Sequence, residues 1–277
     1  MSHRLIFYLL FFPLTIIFFK WFLIFSELKD FESFFTILAN INDNAYFPFI
    51  ISLSNLNFSP TYNDFFTPDG VMTFPYASIF IHSILFKFFD LNGYIVSEFI
   101  FVSLGYFIIF KFIKNSGIKK ISSTVATLLI FSSPIILEYI NIFFYSDLLI
   151  HIKDQIFNYH LQSQRFPRPL VTNIFFYAAL CFLISLNKDK TDKKSTYIFL
   201  SILCALLLQS FIYYFLIIFL SILIILSFKI IKKKEFIAKN YFNILYSILI
   251  FFIFSSPFIL QNLFATEGFS SRMGLMK

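Results

Sequence analysis

Asp43 stands in the run Asn40-Ile41-Asn42-Asp43-Asn44-Ala45-Tyr46-Phe47-Pro48, a carboxylate set among amides and a phenol in an otherwise apolar chain. At the start of a helix such a group can do two things. It can cap the helix by accepting from backbone N–H groups, or it can take a proton from a hydroxyl within hydrogen-bond reach. Further on, Gln162-Ser163-Gln164-Arg165-Phe166-Pro167-Arg168-Pro169 carries two arginines three apart, each followed by proline or one residue from it. Proline fixes the local backbone, and a guanidinium binds phosphate through two parallel hydrogen bonds. With Lys153 behind them, Arg165 and Arg168 form a candidate phosphate-binding group. Tyr46, His82, Glu98, Asp147 and Asp154 are accessory candidates. Glu98 is set apart by lying inside an apolar run, where an ionisable side chain is a functional candidate by default. Cys181 and Cys204 sit in apolar runs and read as small hydrophobes, and the four histidines (His3, His82, His151, His160) are scattered, so no metal-ligand spacing is present.

The elements that hold these residues follow from composition. The chain has 277 residues, 58% hydrophobic and 13% charged, with 46 Phe and 15 Tyr. A soluble chain is about one-half apolar and about one-quarter charged. Here too little polar surface remains to cover a water-soluble globule, which excludes a cytosolic enzyme, a disordered tail and a fibre. Apolar runs of about 20 residues cross a bilayer as helices. Such runs lie near 5–25, 94–112, 120–139, 169–187, 195–209, 211–229 and 241–260. The expected fold is an all-α polytopic bundle of about seven transmembrane helices forming a single membrane domain over 1–277. Gln209-Ser210 is the polar break that divides 195–229 into two spans. The first run is too long for a signal-peptide core and lacks a small-residue cleavage site, so it reads as an anchor.

Charge then orients the bundle. With a cytoplasmic N-terminus, 14 of the 22 Lys and Arg fall in inside segments, among them Lys188, Lys190, Lys193, Lys194, Lys229, Lys232, Lys233 and Lys234. Ten of the 15 acidic residues fall outside. This is the positive-inside pattern, and it accounts for most of the net charge of +7 without a nucleic-acid partner. The pattern holds only if residues 76–90 do not cross, so that segment is expected to lie flat on the outer surface as an interfacial helix. Two long external loops remain, 26–93 and 140–168. Both hold the chemistry-bearing residues. The Ile/Lys/Phe/Asn-rich composition points to a bacterial cytoplasmic (inner) membrane, with the active face periplasmic or extracellular.

The order of motifs over residues 5–140 resembles the N-terminal module of GT-C membrane glycosyltransferases of the protein O-mannosyltransferase and aminoarabinose-transferase kind. Those have a first span, an external loop with two juxtamembrane helices, and then a bundle. The counterparts here are Asp43 with Tyr46, Phe58-Ser59-Pro60, Gly70, and Phe74-Pro75 leading to Leu85-Phe86-Lys87-Phe88-Phe89. The resemblance implies inverting transfer of a sugar from a polyprenyl-phosphate donor to a hydroxyl on a lipid, glycan or protein acceptor, with Asp43 as general base. It implies no defined cofactor and leaves a divalent metal ion open. The roles of Arg165, Arg168 and Lys153 on the donor phosphate come from residue type and sidedness, since a lipid-phosphate leaving group needs cationic stabilisation.

Two departures bear on this reading. The family's Asp-Glu pair is Asp43-Asn44 here, and Lys277 follows soon after the seventh apolar run, which reads as a chain cut short at its C-terminus. The alternatives are a transporter or flippase for lipid-linked glycans, which calls for broken or polar helices in mid-membrane, and a non-catalytic cell-envelope assembly protein.

Overall fold

The computed structural model describes residues 11–12, 14–15, 17–18, 21–22, 46–56, 75–131, 169–187, 194–232 and 236–264. Among them all regular structure is helical. The helices are α1 (Phe47–Ser54), α2 (Tyr76–Phe89), α3 (Gly93–Asn115), α4 (Lys120–Phe131), α5 (Pro169–Asn187), α6 (Lys194–Ser210), α7 (Ile212–Lys232) and α8 (Phe236–Phe264). Further helical residues, Ile17 and Trp21 among them, lie within 11–22. Three described segments are long and apolar enough to cross a membrane, Gly93–Asn115, Leu170–Asn187 and Ile212–Lys232. The described residues are thus all-helical, and three of their helices have membrane-spanning length and composition.

The described residues form two compact units, one within Met1–Phe47 and Phe88–Ile174, the other within Pro48–Lys87 and Phe175–Lys277. In the first unit, α3 supplies the spine. Its buried residues Tyr94, Glu98, Phe101, Val102, Gly105, Tyr106, Ile109, Phe110 and Ile113 recur at three- and four-residue steps. That spacing draws one stripe along a helix of 3.6 residues per turn. The stripe needs a small residue where other helices come near. A Cβ at Gly105 would stand 3.1 Å from Leu170 Cδ1 and 3.6 Å from both Ile174 Cγ1 and Phe131 Cζ. Tyr106 packs on Phe131 one position later, with ring centroids 5.2 Å apart. Helix α3 stops at Gly117, whose φ of +98° is the left-handed conformation that side chains resist. Its N–H donates to the Lys114 carbonyl (3.1 Å), and that of Ser116 to the Phe112 carbonyl (3.0 Å).

In the second unit, α6 and α7 form a hairpin whose only non-helical residue is Phe211, where the polar break predicts the turn. Helices α6 and α8 run parallel, because Ser201 meets Ser247 and, two turns on, Gln209 meets Phe254. Ala205 and Leu207 of α6 are fully enclosed. Helix α7 is apolar on every side, and only 11% of its membrane-length window is buried within the protein. Such a helix needs lipid as its solvent. Helix α2 begins after Pro75, as its sequence predicts. Ser78, Ile79, His82 and Ser83 share one face and are enclosed by protein, while Ile84, Phe88 and Phe89 towards its C-terminus are exposed.

Candidate functional site

Asp43, Asp147, Lys153, Asp154, Arg165 and Arg168 lie outside the described residues. Tyr46, His82 and Glu98 lie within them. Tyr46 is half-buried and immediately precedes α1. His82 is 1% exposed and its Nδ1–H donates to the Ser78 carbonyl one turn earlier, at 2.7 Å. An interfacial role, in which the ring would meet a headgroup or acceptor, does not match that enclosure. Tyr76 stacks on Phe80 in the same helix, and burial pushes its phenol above the usual tyrosine range.

Glu98 is the ionisable group that the first unit treats most distinctively. It is 2% exposed on the buried stripe of α3, and Trp21 Nε1–H donates to its Oε2 at 2.9 Å. Trp21, the only tryptophan of the chain, is itself buried and packs edge-on against Tyr94, with centroids 6.2 Å apart. A buried carboxylate is costly unless hydrogen-bonded, and the indole N–H offers a donor without adding charge. The bond ties the N-terminal helical segment to α3 across 77 positions of sequence.

A second polar constellation, in the unit containing α6 and α8, was not anticipated. Pro257 lies inside α8 and has no N–H to give the Ile253 carbonyl. That carbonyl is met by a side chain instead, since Ser256 Oγ donates to Ile253 O at 3.1 Å. Gln209 Nε2, from α6, donates to the neighbouring Phe254 carbonyl at 2.7 Å and so ties the two helices together. Two turns earlier one of the Ser201 and Ser247 hydroxyls donates to the other, and the second donates to the Tyr197 carbonyl, which lies 2.9 Å from Ser201 Oγ and 3.3 Å from Ser247 Oγ. The available signal was the proline inside an apolar run facing, one hairpin away, a glutamine read only as a turn marker. Among the described residues no three His, Cys, Asp or Glu side chains cluster as metal ligands.

Fold and site together define a polytopic helical membrane protein with buried polar groups bridging its helices. No protein-family model, no curated protein and no solved structure matches the chain. The likeness to the GT-C enzymes therefore rests on the order of short motifs between residues 5 and 140.

Proposed function

We propose that the protein is a membrane glycosyltransferase that moves a sugar from a polyprenyl-phosphate donor to a hydroxyl acceptor on the extracytoplasmic face of a bacterial membrane, with inversion at the anomeric carbon. The observation that carries this reading is the element order. Helices α1 and α2 follow Asp43 and Tyr46 and precede the span α3, as the juxtamembrane helices of the GT-C module do. In the reaction, the acceptor O–H gives its proton to the Asp43 carboxylate as its oxygen bonds to the anomeric carbon. The bond from that carbon to the phosphate oxygen breaks, and the polyprenyl phosphate leaves with the electron pair. Arg165 and Arg168, with Lys153, stabilise the charge that grows on the phosphate.

The test is transfer from a radiolabelled polyprenyl-phosphate sugar by the purified protein in lipid vesicles. Asp43→Asn is expected to abolish transfer while leaving membrane expression unchanged. Equal loss of folded protein would make Asp43 a helix cap and remove the base. A flippase for the same lipid-linked sugars is the second reading, and the proline and buried polar bridges of α6 and α8 favour it. Movement of the labelled lipid between leaflets without any transfer would establish that reading in place of the first.

A further inference from the structure

The α6–α7 turn gathers groups that neither the proposed base nor the phosphate-binding residues use. Phe211 is the turn itself, and its ring meets those of Tyr214 and Tyr213 at centroid distances of 4.7 and 5.5 Å. Tyr214 in turn stacks on Phe176 of α5 at 4.4 Å and 27°. Phe211 and Tyr213 are exposed, at 38% and 60%. Directly before this aromatic group comes Gln209, 6% exposed. Because Phe254 O can only accept, the amide must present its NH₂ to that carbonyl. Its carbonyl oxygen is thereby held in a fixed orientation as an acceptor.

We infer that the α6–α7 turn is a carbohydrate-binding platform that receives the sugar ring of the lipid-linked donor. This inference rests on the glycosyltransferase reading and deepens it. A sugar ring has one face of C–H bonds and a rim of hydroxyls. The electron-rich face of an aromatic ring attracts the C–H groups. A fixed amide oxygen accepts from a rim hydroxyl, as binding sites do when a few placed polar groups orient a ligand over an apolar wall. The turn also lies where such a ligand is found. Lys194 begins α6, and Lys229 and Lys232 end α7, so all three are at the opposite end of the hairpin. By the positive-inside rule the turn faces the extracytoplasmic side, where the donor headgroup is displayed.

The experiment uses the full chain in nanodiscs. It measures binding of short-chain prenyl phosphates carrying a hexose, an N-acetylhexosamine or a pentose, each against the same prenyl phosphate without sugar. The expected result is at least one sugar that tightens binding tenfold or more over the bare phosphate. Phe211→Ala and Tyr213→Ala should erase that gain while leaving affinity for the bare phosphate unchanged. Phe211→Trp and Tyr213→Trp should retain it. Two results overturn the inference: no sugar among the three tightening binding, or a gain that survives both alanine variants. In the second case the rings are interfacial anchors only. Asp43→Asn separates the two claims, since it should keep the sugar-dependent gain while losing transfer. Sugar-dependent binding without transfer by the unsubstituted protein removes the transferase reading and leaves the platform standing.

Discussion

Single hydrogen bonds carry much of the polar content of this chain. Without Trp21, Glu98 Oε2 would lose its indole donor. Trp21→Phe is expected to lower stability by about 1–3 kcal/mol, the range for losing a hydrogen bond to a buried carboxyl. Glu98→Gln keeps an acceptor oxygen for the indole and should cost less. The two enclosed thiols, Cys181 and Cys204, provide the readout, because a thiol-reactive dye labels them only as the protein unfolds. The Gln209 clasp allows a stricter comparison. Gln209→Leu removes the amide that ties α6 to the Phe254 carbonyl of α8 and should cost about 0.5–1.5 kcal/mol, the usual net worth of such a bond. Gln209→Glu keeps a side chain of the same length but loses the donor, and is expected to be at least as harmful. A glutamate variant as stable as the unsubstituted protein would show that the amide donor contributes nothing.

Helix boundaries set the next scale. At Gly117 the left-handed backbone makes any side chain costly, and Gly117→Ala should reduce thermal stability by about 1 kcal/mol. Leu56 sits in the same region of backbone space after α1, at φ 68°. Leu56→Gly should therefore stabilise the protein by a similar amount, even though leucine is the more apolar residue. Gly105 tests close approach instead. Gly105→Leu must displace the Leu170 and Ile174 side chains, at about 1–3 kcal/mol for overpacking. These elements were largely legible beforehand. Residues 94–112, 169–187, 195–209 and 211–229 mark α3, α5, α6 and α7 because unbroken apolar runs of that length have few other solutions in lipid. Gln209-Ser210 marked the turn for the same reason. Pairings between elements were not legible. Nothing local to Trp21 or Glu98 announces a bond across 77 positions, and nothing in the sequence pairs Gln209 with Phe254. The enclosure of His82 was missed because a short apolar helix has the same composition whether it packs on protein or on lipid.

For the whole molecule, the decisive property is that so much apolar surface is left outside. Helix α7 alone exposes Leu216, Ile217, Phe219, Leu220, Leu223, Ile224 and Phe228. A bilayer or detergent covers such a surface, and the charge asymmetry predicts an orientation that labelling can test. An impermeant thiol reagent applied to right-side-out vesicles should modify Asn63→Cys and spare Lys190→Cys, with the reverse in inverted vesicles. Equal labelling of both in one vesicle type would undo the assignment of Asp43 to the outer face.

The two contacts between the parallel helices α6 and α8 have nearly the same offset, 46 positions for Ser201–Ser247 and 45 for Gln209–Phe254. The pair thus behaves like a two-toothed key. One residue inserted between Ser201 and Gln209 turns everything beyond it by about 100°, so either tooth can seat but never both. A residue added between Asn187 and Lys194 shifts the two together and leaves the fit untouched.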